Sequence, residues 1–301
     1  MAEGGVSGEA ALIELIQLAV NGIAVGCIYG LIALGFVLIY KATEMVNFAQ
    51  GDLMMLGAFV AYTLISGLGL PYWLGLLGAV IIMAVLGYLL DAVLLRPVIG
   101  QPQFAIVMLT IGLGFILRAA AGFIWGHDPL SFETPFSGKV VNAGGVVIAT
   151  ENLAIIFGTV VLCIILYAFF RFTRLGVAMQ AASQNQLAAY YMGIPVKRIF
   201  SMIWALSAGV AAVAGILLAP KFLIDPNMGF LGIKAFAAAV LGGFGSIPGA
   251  LLGGLVIGVI EQIAGVYGPP GSHETAAYLA LLLVLVLKPG GIFAQIGRKK
   301  V

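Results

Sequence analysis

Arg171-Phe-Thr-Arg174-Leu-Gly176-Val-Ala-Met179-Gln-Ala-Ala-Ser183-Gln-Asn185-Gln-Leu-Ala188-Ala-Tyr-Tyr-Met192-Gly193-Ile194-Pro195-Val-Lys197-Arg198 separates two apolar runs, at 153–170 and 199–219. It is basic at both ends and holds no acid. Its Ala-rich middle favours helix. Gly193 followed by Pro195 gives a helix stop and a turn. One apolar helix therefore ends near Arg171, one short helix lies at a surface, and the next apolar helix starts near Lys197. A short helix carrying Ala, Asn, Gln and Met can dock into a partner's groove; it can also lie in the headgroup layer.

Outward from this segment the chain is almost entirely apolar. Apolar types make up 62% of 301 residues and charged types 9%, with a mean hydropathy of +1.15. A soluble domain averages about 25% charged residues, so this composition excludes a water-soluble globule and a disordered chain. Lipid is the solvent over most of the length. Apolar runs fall at 12–40, 53–69, 72–95, 104–125, 153–170, 199–219, 229–244, 247–267 and 276–288. Nine crossings are expected, within a range of roughly eight to ten at about 20 residues each. The first run overfills one crossing, and the run at 229–244 and the last one are short enough to be partial. The whole chain, 1–301, reads as a single all-α polytopic domain with broken helices.

With the N-terminus outside, Lys41, Arg96, Arg171, Arg174, Lys197, Arg198, Lys288, Arg298, Lys299 and Lys300 fall inside, ten of 14 basic residues. The reverse orientation would violate the positive-inside rule. The segment before Glu14 carries Glu3 and Glu9 and no basic side chain, unlike a signal peptide, so the first apolar run reads as a retained helix.

Glycine numbers 42 residues. Gly22, Gly26 and Gly30 recur on one helix face, as do Gly245, Gly249 and Gly253, a spacing that lets helices approach closely in lipid. Two apolar segments are interrupted, at 47–52 and at 241–249, and paired breaks point to internal pseudo-symmetry and a midplane pathway. Polar residues inside spans are costly and usually face protein or a cavity. Among them Arg118 lies mid-run, which suits either a structural partner such as Glu261 or a place on the pathway. Asp91 and Arg96 at a helix end read as snorkelling groups. Cys27 and Cys163 sit in apolar stretches as packing residues. His127 and His273 lie in loops without HExxH or CxxC patterns, so no metal site and no catalytic residues are expected.

Three motifs together carry a resemblance. Phe172-Thr-Arg174-x-Gly176-x-Ala178-Met179-x-Ala181-x-x-x-Asn185-x-x-x-Ala188-x-x-x-Met192-Gly193-Ile194 is one. Asn47-Phe48-Ala49-Gln50-Gly51-Asp52 followed by Met55-x-Gly57-Ala58 is the second. Ala239-Val240-Leu241-Gly242-Gly243-x-Gly245-Ser246-x-x-Gly249-Ala250-x-x-Gly253-Gly254 is the third. In this order they resemble ABC importer permeases of the branched-chain amino acid family, specifically the shorter permease subunit. Val177 and Gln180 stand where that family often has a basic residue.

The resemblance implies a type II importer-like fold in the bacterial inner membrane, with periplasmic N-terminus and cytoplasmic C-terminus. It implies a second related permease, two ATP-binding subunits and a periplasmic binding protein as partners. The chain has no GxxxxGK[ST] loop, so it is not expected to hydrolyse ATP. No cofactor is expected on this chain, ATP and Mg belonging to the partner subunits, and no nucleic acid. The expected function is ATP-driven import of branched-chain or related small amino acids. Urea, amides or aromatic acids are the alternative substrates, and a channel or ion-coupled carrier is a further alternative. Coupling to the ATPase is expected at Arg174, Gly176, Met179, Ala181, Asn185, Ala188, Gly193 and Ile194, within 171–198. The translocation path is expected along Asn21, Tyr29, Asn47, Phe48, Gln50, Asp52, Thr110, Gly242, Gly243, Gly245 and Ser246. The charge split predicts that an impermeant thiol reagent on intact cells labels a cysteine introduced at position 133 and not one at 299; the opposite pattern would invert the topology.

Overall fold

In hydrocarbon each backbone group must bond within its own segment, which drives long apolar runs into helices. The computed structural model describes residues 3–98, 101–143, 146–288 and 290–292; the basic cluster Arg298-Lys299-Lys300 lies outside the described residues. In chain order the elements are α1 (Glu3–Thr43), α2 (Gln50–Tyr62), α3 (Tyr72–Leu90) and α4 (Gln103–Trp125). A hairpin of β1 (Val140–Ala143) and β2 (Val146–Ala149) follows, then α5 (Thr150–Phe172), α6 (Arg174–Gln184) and α7 (Gln186–Tyr191). The chain closes with α8 (Val196–Leu218), α9 (Leu231–Gly242), α10 (Ile247–Tyr267) and α11 (Ser272–Leu287).

Six helical segments among the described residues are long and apolar enough to cross a bilayer: Leu12–Thr43, Tyr72–Val98, Gln103–Trp125, Thr150–Phe172, Val196–Leu218 and Ile247–Tyr267. The other three expected crossings form the shorter helices α2, α9 and α11. The cause differs by helix. α2 passes at Thr63 into a π turn over Thr63–Gly67, and α9 is preceded by a 3₁₀ turn over Pro226–Phe230 that uses up part of its run. The expected single loop at 126–152 contains the β hairpin, paired antiparallel from Val140↔Ala149 to Ala143↔Val146. The expected single surface helix is two. Asn185 leaves the helical conformation and its side-chain oxygen caps α7 by accepting from Ala188 N at 2.9 Å.

Helix α1 is apolar all round because it is surrounded. It is 94% buried over its most apolar window, against 17% for α5. Its closest neighbour is α10, and the two meet through glycine. A Cβ on Gly22 would lie 2.9 Å from Val259 Cα, and one on Gly26 2.7 Å from Leu255 Cα; the facing Gly254 and Gly258 abut Gly30 and Gly26. The descending register makes the pair antiparallel. Asp91 is buried rather than snorkelling: Ser201 Oγ donates to its Oδ2 at 2.6 Å and accepts from Arg96 Nη2 at 2.7 Å. Two helix ends 110 positions apart are thereby tied.

Lipid supplies little drive for helix association, so fit between backbones decides it. Gly26→Val forces α1 from α10 and should cost about 1–3 kcal/mol, read as a lower thermal midpoint of the purified protein in detergent. Gly112→Ala, where a Cβ meets nothing within 4 Å, should leave the midpoint unchanged.

Candidate functional site

After α1 ends at Thr43 the chain turns back beside that helix instead of continuing outward. Gln50, fully buried, donates through Nε2 to the Ser207 carbonyl at 3.3 Å, and the Ser207 hydroxyl lies 3.0 Å from both Gln50 Oε1 and the Gly35 carbonyl. Gly35 sits about 12 Å back along α1 from Thr43 at 1.5 Å per residue, so the turn is inside the helical bundle. A Cβ at Gly35 would collide with the Gln50 amide. The irregular backbone is satisfied locally. Asn47 Oδ1 accepts from Ala49 N at 3.1 Å, and Phe48 N donates to Thr110 Oγ1 at 3.2 Å.

A second break faces the first. Asp225 caps the 3₁₀ turn by accepting from Asn227 N, with Pro226 at its first position. The turn abuts α2 closely enough that a Cβ on Gly51 would run into the Gly229 carbonyl. Between the two breaks lies a groove of about 300 Å³ walled by α1, α2, α4, the 3₁₀ turn and α9. Phe36, Phe48, Phe115, Phe230 and Phe236, with Ile111 and Ile233, make its lining apolar. Asp52 and Arg118 form an ion pair on its wall: Oδ1 accepts from Nε at 3.2 Å and from Nη2 at 2.8 Å. The guanidinium lies 3.8 Å over the Phe230 ring. Asp52 packs against Gly114, the central residue of α4, which puts the pair at mid-depth of that helix.

On the α6–α7 side the groove is floored by aromatic rings. Phe236 contacts Phe36 at 5.7 Å, Phe48 at 5.3 Å and Phe244 at 5.6 Å between centroids, and Phe244 contacts Tyr40 at 4.8 Å. On the hairpin side, Glu261 is fully buried; its Oε1 accepts from Lys234 Nζ, and His273 Nε2 lies 3.2 Å away. Tyr29 lies beside the same carboxylate.

The profile of the family described as "Branched-chain amino acid transport system / permease component" matches residues 18–287. The chain belongs to this permease family. It is 33% identical over 294 residues to the high-affinity branched-chain amino acid transport system permease protein LivH of Salmonella typhimurium, covering 93% of this chain and 96% of that one. To BraD of Pseudomonas aeruginosa, of the same description, it is 36% identical over 295 residues with the same coverage. A relative in Methanocaldococcus jannaschii, described as a probable branched-chain amino acid transport permease, is 32% identical over 250 residues, 79% of this chain and 77% of that one.

Within this permease the expected path residues separate into groups. Phe48 and Asp52 line the groove, while Asn47, Gln50 and Thr110 hold the break beside it. Asn21 lies elsewhere, accepting from Asn152 Nδ2, whose own carbonyl oxygen accepts from Lys221 Nζ at 2.9 Å. Burial pushes the Lys221 ammonium below its usual range, opposed by the nearby Glu151 carboxylate. Gly242, Gly243, Gly245 and Ser246 form the tight turn between α9 and α10. Gly243 adopts φ +92, Ser246 caps α10 by accepting from Gly249 N at 3.1 Å, and Gly242 packs against Gly249. The interruption at 241–249 is thus a tight turn between two helices, and the break that faces 47–52 lies at Pro226–Phe230. Arg118 pairs with Asp52, not with Glu261. Residues that sequence reasoning passed over include Lys234 and His273 beside Glu261, and Phe230 against Arg118. Asp225-Pro226-Asn227 was a readable signal, an Asp cap followed by Pro at the first position.

Of the expected coupling residues, Gly176 and Met179 pack inward, Ala181 and Ile194 are half-buried, and Arg174, Asn185, Ala188 and Gly193 are exposed. A Cβ on Gly176 would strike the Phe169 carbonyl. The exposed face of α7 adds Leu187, Tyr190 and Tyr191, with Met192 just beyond its end.

Removing one member of a buried pair strands the other charge at a cost of about 3–5 kcal/mol, whereas replacing both members with apolar groups is often neutral. Lys234→Met should therefore lower the thermal midpoint in detergent clearly. Lys234→Met combined with Glu261→Leu should recover most of the loss.

Proposed function

We propose that this permease is the membrane-spanning subunit through which an ATP-driven importer moves branched-chain or related small amino acids delivered by a periplasmic binding protein. The observation that carries the reading is similarity running nearly end to end with relatives whose names state that substrate. The groove supports it. Its lining suits a Leu, Ile or Val side chain, and urea would leave those aromatic walls unused. ATP and Mg bind to two partner ATPase subunits, this chain carrying no phosphate-binding loop, and a second related permease completes the pathway. The inner membrane is its location, with the N-terminus periplasmic and the C-terminus and α6–α7 cytoplasmic, as the basic-residue distribution favours.

The ATPases dock on α6–α7. Leu187, Tyr190, Tyr191 and Met192 offer an exposed apolar and aromatic surface, the amphipathic kind that fits a partner's groove. The same segment grips the transport helices. Gln186 Nε2 donates to the Ala42 carbonyl of α1 at 3.1 Å, and buried Met179 lies among Leu38, Lys41 and Phe170. Movement of the docked segment thus acts directly on the last turn of α1.

Proteoliposomes holding the assembled transporter should accumulate radiolabelled L-leucine only with ATP inside and loaded binding protein outside. No uptake of any amino acid under these conditions would refute the reading. Gly193 sits at φ +81, a conformation costly for a β-branched residue. Gly193→Val and Arg174→Glu should each lower uptake at least about tenfold with normal complex yield. Unchanged uptake in both would remove this segment as the transmission element.

A further inference from the structure

We infer that Asp52 and Arg118 read the two charges of an amino-acid zwitterion in the groove, Asp52 Oδ2 receiving the α-ammonium and Arg118 Nη1 the α-carboxylate. The inference rests on the transport reading above and supplies its missing recognition chemistry.

The pair is only half used by its own contact. Both donors, Nε and Nη2, converge on Oδ1. Asp52 Oδ2 and Arg118 Nη1 make no hydrogen bond among the described residues, and neither is among the buried atoms without a partner. One acceptor and one donor of opposite charge are thus left for a ligand, without breaking the pair. Among the described residues they are the only ionisable groups on the wall of the groove.

The surroundings hold this arrangement. Phe230 stacks on the guanidinium at 3.8 Å, and Phe115 lies 5.7 Å from it, contacts that orient Arg and favour its charge. A Cβ on Gly114 would strike Asp52 Oδ2 and one on Gly229 would strike Oδ1, so glycine at both positions leaves the carboxylate its space. A cavity of about 300 Å³ is at the small end of ligand sites. A zwitterion brings no net charge into it and meets both free groups. An acid or an amine of the same skeleton would meet only one and leave a charge desolvated without a partner, which is costly. The selected class is therefore an α-amino acid with an apolar side chain, bound weakly enough to leave.

The test uses the assembled transporter in nanodiscs without binding protein, probed by saturation-transfer NMR with L-leucine, 4-methylpentanoate and 3-methylbutylamine. Leucine should give a signal at least about fivefold stronger than either singly charged analogue. Asp52→Asn should abolish the preference over 4-methylpentanoate, and Arg118→Gln the preference over 3-methylbutylamine. Each single variant strands a charge, so the double variant Asp52→Asn/Arg118→Gln decides the matter. It should assemble normally yet import leucine at least about tenfold more slowly, whereas a purely structural pair predicts recovery to wild-type uptake. Equal binding of the three probes to wild type, or wild-type uptake by the double variant, would overturn the inference. Wild-type uptake from loaded binding protein, run alongside, separates the two claims: leucine import with an unaffected double variant leaves the transport reading standing and removes only the zwitterion site.

Discussion

A backbone amide left bare in hydrocarbon costs several kcal/mol, and this chain interrupts its helices twice inside the bundle. Each interruption is closed by side chains that bond to its exposed backbone groups. Asn47 and Thr110 take the amides of Ala49 and Phe48, Gln50 and Ser207 tie the start of α2 to the Gly35 carbonyl, and Asp225 caps the facing 3₁₀ turn. The breaks can then lie against each other because Gly51, Gly229 and Gly232 present no side chain at the contact. The groove is what remains between them. Its polar side chains are few because, apart from Asp52 and Arg118, its walls are Phe, Ile and Gly.

Close approach elsewhere fixes where these breaks sit. In lipid the surrounding tails are as apolar as Leu, so the glycine seam between α1 and α10 holds by contact density rather than by exclusion of water. That seam keeps α1 central and enclosed. An enclosed helix cannot relax around a misfit as a lipid-facing one does, and this is why Gly35 must accommodate the Gln50 amide. By contrast, α5 faces outward over most of its length.

Composition and run length made the all-helical membrane class legible, and the glycine spacing of α1 marked its packing face. The motifs made the family legible. The partner of Arg118 was not. Sequence reading places Asp52 in the polar break at 47–52 and Glu261 inside an apolar run, and choosing between them needs the relative rotation and neighbourhood of α2, α4 and α10, which no local period encodes. The character of the interruption at 241–249 was hidden for a related reason. Glycine at 242, 243 and 245 signals either a broken span or a tight turn, and only the antiparallel packing of α9 on α10 decides for the turn. The division of α6 from α7 was encoded locally, by Asn185 as a cap, but its Ala-rich flanks masked it. The hairpin between α4 and α5 has valine-rich strands of only four residues each, too short to stand out in a chain this apolar.

The groove and the α6–α7 surface are joined through α1 and a run of rings packed on it. The helix is gripped at Ala42 by Gln186 and lines the groove at Phe36. The rings run from Tyr40 through Phe244 to Phe236 and Phe48. The first is a single continuous hydrogen-bonded helix. The second depends on the turn at Gly243, where the backbone sits at φ +92. A displacement of the last turn of α1 must therefore shift Tyr40 against Phe244, and through it the rings that floor the groove. Packed interiors respond to such shifts by switching between discrete arrangements rather than by yielding continuously. A floor made of interlocked rings, anchored on one side to a continuous helix and on the other to a glycine turn, has the parts such a switch requires.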